Sequence, residues 1–204
     1  MVKKQQPSIN VKGVQVSDPF WSKVQTLVRE VVIPFQKQVL EDAVPGVEKS
    51  HAVENFRIAA GEQTGDFYGF VFQDSDVAKW LEAVAYSLAL HPDEKLEKEA
   101  LDLIALVGRA QEPDGYLDTY FTVKEPDHKW QDLQECHELY CAGHMLEAAV
   151  AWAEAAGRTE LLDIMKKNAD LICSLFGKDK RRGYPGHEEI EMALIRLYRL
   201  TGEK

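Results

Sequence analysis

A chain of 204 residues, 45% hydrophobic and 28% charged, has the length for one domain with a sizeable core and too little Gly and Pro for a disordered one. Its formal net charge of -10 opposes a nucleic-acid backbone, and no segment is long and apolar enough for a membrane span. Cys136, Cys141 and Cys173 are an odd set without disulfide-framework spacing, and the N-terminus lacks the apolar run of a signal peptide, which predicts free thiols and a cytoplasmic protein.

Residues 1–16 carry the alternation Ile9, Val11, Val14 and Val16, predicting a short extended segment ahead of a helical domain over 17–204. Asp18 followed by Pro19 offers a cap and a first-turn proline for a helix over 20–43, kinked or broken at Pro34. A short helix over 55–60 is followed by a loop rich in glycine and aromatics, 61–73, which needs a surface to lie on. The run Asp74-Ser75-Asp76 reads as the cap of a helix over 77–90, apolar nearly all round and therefore an inner helix. The segment 93–111 has Leu96, Ala100, Ile104 and Val107 on one stripe and belongs outside it.

The same pair then recurs. Leu81-Glu82-Ala83 is echoed by Leu146-Glu147-Ala148, and Gly115-Tyr116 by Gly183-Tyr184. Between these marks 144–156 is Ala-rich and inner, while 160–176 is amphipathic and outer. A third unit over 187–200 is also expected inside, without a polar outer face, and reaches Thr201-Gly202 where an outer helix should follow. These are repeating helical hairpins, and the array reads as interrupted.

Several clusters carry polar chemistry. If 135–144 is helical throughout, His137, Cys141 and His144 share a face, which admits a soft-metal site, although the spacing favours buried hydrogen-bonded histidines and an inert thiol. Gly143-His144 and Gly186-His187 stand at equivalent starts of successive inner helices, where imidazole suits either a sugar hydroxyl or a structural cap. Asp74 with Asp76 fit a helix cap better than an acid/base pair, Glu188 with Glu189 fit the first turn of a helix, and neither pair identifies a reaction. The basic cluster Lys178, Lys180, Arg181 and Arg182 fits a solvated loop.

The strings ENFRIAAG (54–61), DSDVAKWLEA (74–83), EPDGYLDTYF (112–121), ECHELYCAGHMLEAAVA (135–151) and GYPGHEEIEMALIRLYRLTG (183–202), in this order, resemble the β-L-arabinofuranosidases of glycoside hydrolase family 127. The resemblance implies an all-α fold, a partial (α/α)6 barrel ending after about half of the barrel. It implies retaining hydrolysis of terminal β-L-arabinofuranosides by a zinc-bound cysteine thiolate, with a glutamate as acid/base. In the family these residues and the zinc ligands lie in the later half of the barrel, so no catalytic or metal residue is expected in this chain, which alone should be inactive.

His144 and His187 match family histidines that line the sugar subsite, and Asn55, Asp74 and Trp80 fall in motifs resembling the funnel wall. The expected partner is an arabinose-containing oligosaccharide, and the complete protein is a candidate homo-oligomer. Cys136, Cys141 and Cys173 match no catalytic or zinc-binding position. Competing readings are another (α/α)6 carbohydrate enzyme, such as an unsaturated glucuronyl hydrolase, and a non-enzymatic helical-repeat module.

Overall fold

The structure, a computed structural model, describes residues 11–203. Most of the segment expected to be extended lies outside these residues; Val11–Gly13 forms one 3-10 turn instead of a strand. Asp18 closes the N-terminus of α1 (Pro19–Leu27), its carboxylate accepting from the backbone N–H of Phe20 (2.8 Å) and Trp21 (2.9 Å). The break expected at Pro34 is a π-helical turn, Val28–Val32, in which the N–H of Ile33 reaches the carbonyl of Val28 before α2 (Ile33–Leu40) continues. Proline brings no N–H to the preceding turn, and widening the turn ahead of it lets the helix run on.

The short α3 (Ala52–Ala59) begins at His51, which is left-handed at φ 54. After the aromatic loop comes α4 (Asp74–Leu90), three residues earlier than its sequence suggests. Asp74 and Asp76 do not cap it. The N-cap position is Gln73, whose side chain donates to the Asp76 carboxylate (3.0 Å) and accepts from no helix N–H, while the carboxylate of Asp74 is drawn away to accept from the backbone N–H (2.7 Å) and hydroxyl of Thr119. In α5 (Glu94–Ala110) Asp93 does cap, accepting from the N–H of Leu96 at 3.0 Å. A turn through Gly115 leads to α6 (Thr119–Val123).

The hairpins are completed by α7 (Glu138–Ala151), extended by a π-helical turn Trp152–Ala156, by α8 (Glu160–Leu175), and by α9 (Ile190–Thr201). The helix α7 lies between α4 and α9, while α5 and α8 pair outside them. The fold is therefore all-helical, with inner and outer layers as the apolar patterning predicts. The inner helices run parallel: Lys79 of α4 meets Tyr140 of α7 near their starts, and further along Arg196 of α9 meets both Glu147 of α7 and Tyr86 of α4.

The buried residues of α7 include every one of its fourteen except Tyr140 and His144, so these two are where the central helix opens toward solvent. The helix α9 is covered on one side only. Ile190, Ala193 and Leu197 are buried, whereas Met192, Ile195 and Tyr198 are exposed. Among the described residues no helix is long and apolar enough to cross a membrane.

Candidate functional site

The left-handed conformation of His137 (φ 61) starts α7 one residue later, so His137 lies before the helix and not on its face. His187 likewise precedes α9 by a short loop; Gly143-His144 lies inside α7, and the two Gly-His pairs are not at equivalent helix starts. The convergence of His137, Cys141 and His144 on one ligand therefore fails. Cys141 is buried beneath α4, its thiol pushed up by burial and by the nearby carboxylates of Asp118 and Asp74.

The histidines meet through an aromatic hub instead. The Tyr140 ring lies 4.5 Å from the His144 ring, 5.0 Å from His187 and 5.6 Å from His137, centroid to centroid. His137 continues the row to Phe72 (5.2 Å), which stacks on Phe70 (5.2 Å, ring planes nearly parallel). His144 and His187 thus share one hub, their ring centroids within about 10 Å of each other, a span suited to one monosaccharide. Phe70 is 68% exposed and His187 is exposed, so the row has a free surface.

Charge surrounds this row on two sides. Lys79 donates from its ammonium to the Tyr140 hydroxyl and to the Ser75 hydroxyl, each at 3.0 Å. Nδ1 of His144 lies 3.4 Å from Oε1 of Glu189. Burial, and then the positive charges of Lys79 and His187, lower His144 to about 4. At neutral pH it is a neutral imidazole, with one donor and one acceptor nitrogen, the pair of functions a sugar hydroxyl complements.

The other three expected site residues are not brought to this row, and each has its polar atoms engaged in the scaffold. Asn55 is fully buried; its amide donates to the carbonyl of Tyr68 (2.8 Å) and accepts from the N–H of Tyr68 (3.2 Å). Asp74 is buried on Thr119, and burial pushes its carboxyl up to about 6. Trp80 is buried and donates its indole N–H to the carbonyl of Ile33 (2.9 Å), tying α2 to α4. Sequence reasoning missed Lys79, Tyr140 and Glu189 as members of the site. The available signal was a lone lysine on a helix otherwise apolar nearly all round.

One group among the described residues could hold a metal ion: Asp42, His51 and Glu54. Nδ1 of His51 lies 3.4 Å from Asp42 and closer to Glu54, while the other oxygen of Asp42 accepts from the N–H of Ser50 (2.6 Å) and of His51 (3.0 Å). None of the three cysteines belongs to that group, and burial raises Cys136 as it raises Cys141. The cysteines here do not fit a zinc-bound thiolate.

The sequence matches the family described as Beta-L-arabinofuranosidase, GH127 catalytic domain, over residues 13–204. It is 42% identical over 212 residues to the non-reducing end β-L-arabinofuranosidase of Bifidobacterium longum subsp. longum, covering 94% of this chain and 32% of that protein. The fold is similar to the crystal structure of a GH127 β-L-arabinofuranosidase from Geobacillus stearothermophilus T6, with 57% identity, a TM-score of 0.91, and coverage of 93% of this chain and 30% of that one. It is also similar to a GH127 β-arabinofuranosidase at 38% identity and a TM-score of 0.83, covering 96% and 32% of the two chains. The chain spans about a third of the length of these relatives.

Proposed function

The chain belongs to the glycoside hydrolase family 127 catalytic domain, and on that premise we propose that it supplies the sugar-binding half of a β-L-arabinofuranosidase, with His144 and His187 contacting the terminal arabinofuranose. The observation that supports this reading is the shared Tyr140 hub, on which both imidazoles pack. Neutral His144 exchanges hydrogen bonds with a hydroxyl, exposed His187 meets another, and the Phe70 and Phe72 faces offer apolar surface to the sugar C–H groups. A helical-repeat scaffold would need none of these convergent polar groups.

The chemistry of bond cleavage is placed outside this chain. Retaining hydrolysis requires an activated nucleophile and a proton donor at fixed separation, and in our reading both the cysteine nucleophile and its zinc belong to the remainder of the complete enzyme. The raised Cys136 and Cys141 thiols support that assignment, since a nucleophilic cysteine needs its thiolate favoured. The substrate would be an arabinose-containing oligosaccharide. Three free cysteines accord with a reducing, cytoplasmic setting.

The test is a ligand titration of the purified chain by NMR with methyl β-L-arabinofuranoside, alongside a turnover assay on an aryl β-L-arabinofuranoside. Binding that is weakened at least about tenfold in both His144→Ala and His187→Ala, with no turnover, is the expected result. Sustained turnover abolished by Cys141→Ser would overturn the placement of the nucleophile. Undiminished binding in both histidine variants would overturn the site.

A further inference from the structure

Lys79 is an exposed cation on a helix otherwise largely buried, and its charge acts through space on the carboxylates of Asp76 and Glu189. No carboxylate lies within ion-pair distance of its ammonium among the described residues, although Asp76 and Glu82 share its helix. Instead it spans from α4 to the Tyr140 hydroxyl, 61 positions away in sequence, with the ammonium 5.2 Å from the ring centroid. Its second bond, to Ser75 one turn back, fixes the ammonium on its own helix, so the Tyr140 hydroxyl is tied to a stationary point.

We propose that Lys79 is a positioning residue of the sugar site, holding the Tyr140 ring against the imidazoles of His144 and His187 through the bond between its ammonium and the Tyr140 hydroxyl. This rests on the sugar-binding reading above and extends it to a residue that need not touch the sugar. A tyrosine anchored only through its stem rotates about two side-chain torsions; tethering its far end removes that freedom and fixes both histidines that pack on the ring.

The same charge acts on the protonation of His144. The groups facing this imidazole are Lys79 from α4, Tyr140 from α7, and His187 and Glu189 from the segment leading into α9. Glu189 favours the imidazolium, while burial, Lys79 and His187 favour the neutral ring. With Lys79 removed, the carboxylate of Glu189 acts with one less opposing charge, and the proton affinity of His144 rises.

The experiment compares the whole 204-residue chain with Lys79→Met, Lys79→Arg, Tyr140→Phe and the Lys79→Met/Tyr140→Phe double variant. It follows the His144 resonances with pH, the affinity for methyl β-L-arabinofuranoside, and thermal unfolding as a control for folding. Lys79→Met should raise the His144 titration by on the order of one unit and weaken sugar binding by about tenfold, with Lys79→Arg restoring most of both. Tyr140→Phe should weaken sugar binding similarly, and the double variant should lose no more than either single change. An unmoved His144 titration in folded Lys79→Met, or additive losses in the double variant, would overturn the proposal. If wild-type protein bound no arabinoside while Lys79→Met still moved His144, the sugar reading would fall and the hold of Lys79 on the site would stand.

Discussion

The indole N–H of Trp152 donates to the backbone carbonyl of Leu81 across 3.0 Å, joining the end of α7 to the middle of α4. Both residues are fully buried. The bond sits in the π-helical turn Trp152–Ala156, so the wider turn is seated by a side chain that reaches the neighbouring inner helix. Trp152→Ala should cost about 3–5 kcal/mol and Trp152→Phe about half of that, since phenylalanine keeps most of the apolar volume and loses the donor. Urea denaturation of the two variants separates the contributions; equal losses would show that the apolar volume contributes nothing beyond the hydrogen bond, and a Trp152→Phe protein as stable as wild type would show that the bond contributes nothing.

The inner helices approach closely where glycine permits it. A Cβ on Gly143 would stand 2.9 Å from the backbone N of Ile190 and 3.0 Å from the backbone C of Glu189. On Gly186 it would stand 2.4 Å from the carbonyl oxygen of Gln134. Backbone cannot swing aside as a flexible side chain can, so Gly143→Ala should force α7 and α9 apart at about 1–3 kcal/mol. Glu189 and His187 move with α9, and the variant should lose arabinoside binding along with stability. A Gly143→Ala protein of wild-type melting temperature would contradict the packing.

Asp74 and Asp118 are buried carboxyls that repel each other. Burial raises Asp74 to about 6, and burial with the neighbouring charge of Asp74 raises Asp118 further. One oxygen of Asp118 accepts from the N–H of Phe121 at 3.2 Å, while the other is buried without a partner. Carboxyls that bind protons more tightly folded than unfolded stabilise the fold below their folded pKa, and that contribution falls as pH rises from about 4 through 6. Asp118→Asn retains the capping oxygen and removes the repulsion. Its stability relative to wild type should therefore improve between pH 5 and pH 7.5, by on the order of 1–2 kcal/mol. Thermal unfolding at the two pH values measures this, and a relative stability that worsened with pH would reverse the assignment.

The helical hairpins were legible because apolar spacing is a local property: the all-round pattern of α4 and the single stripe of α5 each announce a layer. The edges were less so. Asp74 reads as a cap because its neighbours in sequence are helix N–H groups, yet Thr119, 45 positions on, takes its carboxylate. His137 looks helical in a run of helix formers, but its positive φ starts the helix after it. His144 and His187 are singled out by motif resemblance, whereas the contact of Lys79 with Tyr140 emerges only once α4 and α7 are laid side by side.

Asn55 is a motif residue whose polar atoms are all engaged by the scaffold. Its amide is paired at both ends with the backbone of Tyr68, in the loop that presents Phe70 and Phe72, and it has no exposed surface to offer a sugar. Farther along the loop, Gln73 accepts from the N–H of Phe70 at 3.3 Å, so the aromatic faces are held at two points. Asn55→Asp preserves the shape but replaces the donor facing the Tyr68 carbonyl with an oxygen, leaving two buried acceptors opposed. That substitution should cost about 2–3 kcal/mol, concentrated in the loop and α3, with the inner helices retained. Hydrogen exchange at the Tyr68 amide should accelerate, and arabinoside binding should weaken because Phe70 and Phe72 lose their fixed orientation. If binding were lost while Tyr68 kept its protection, Asn55 would be a direct sugar contact after all, and the pairing with Tyr68 would have to open when the ligand arrives.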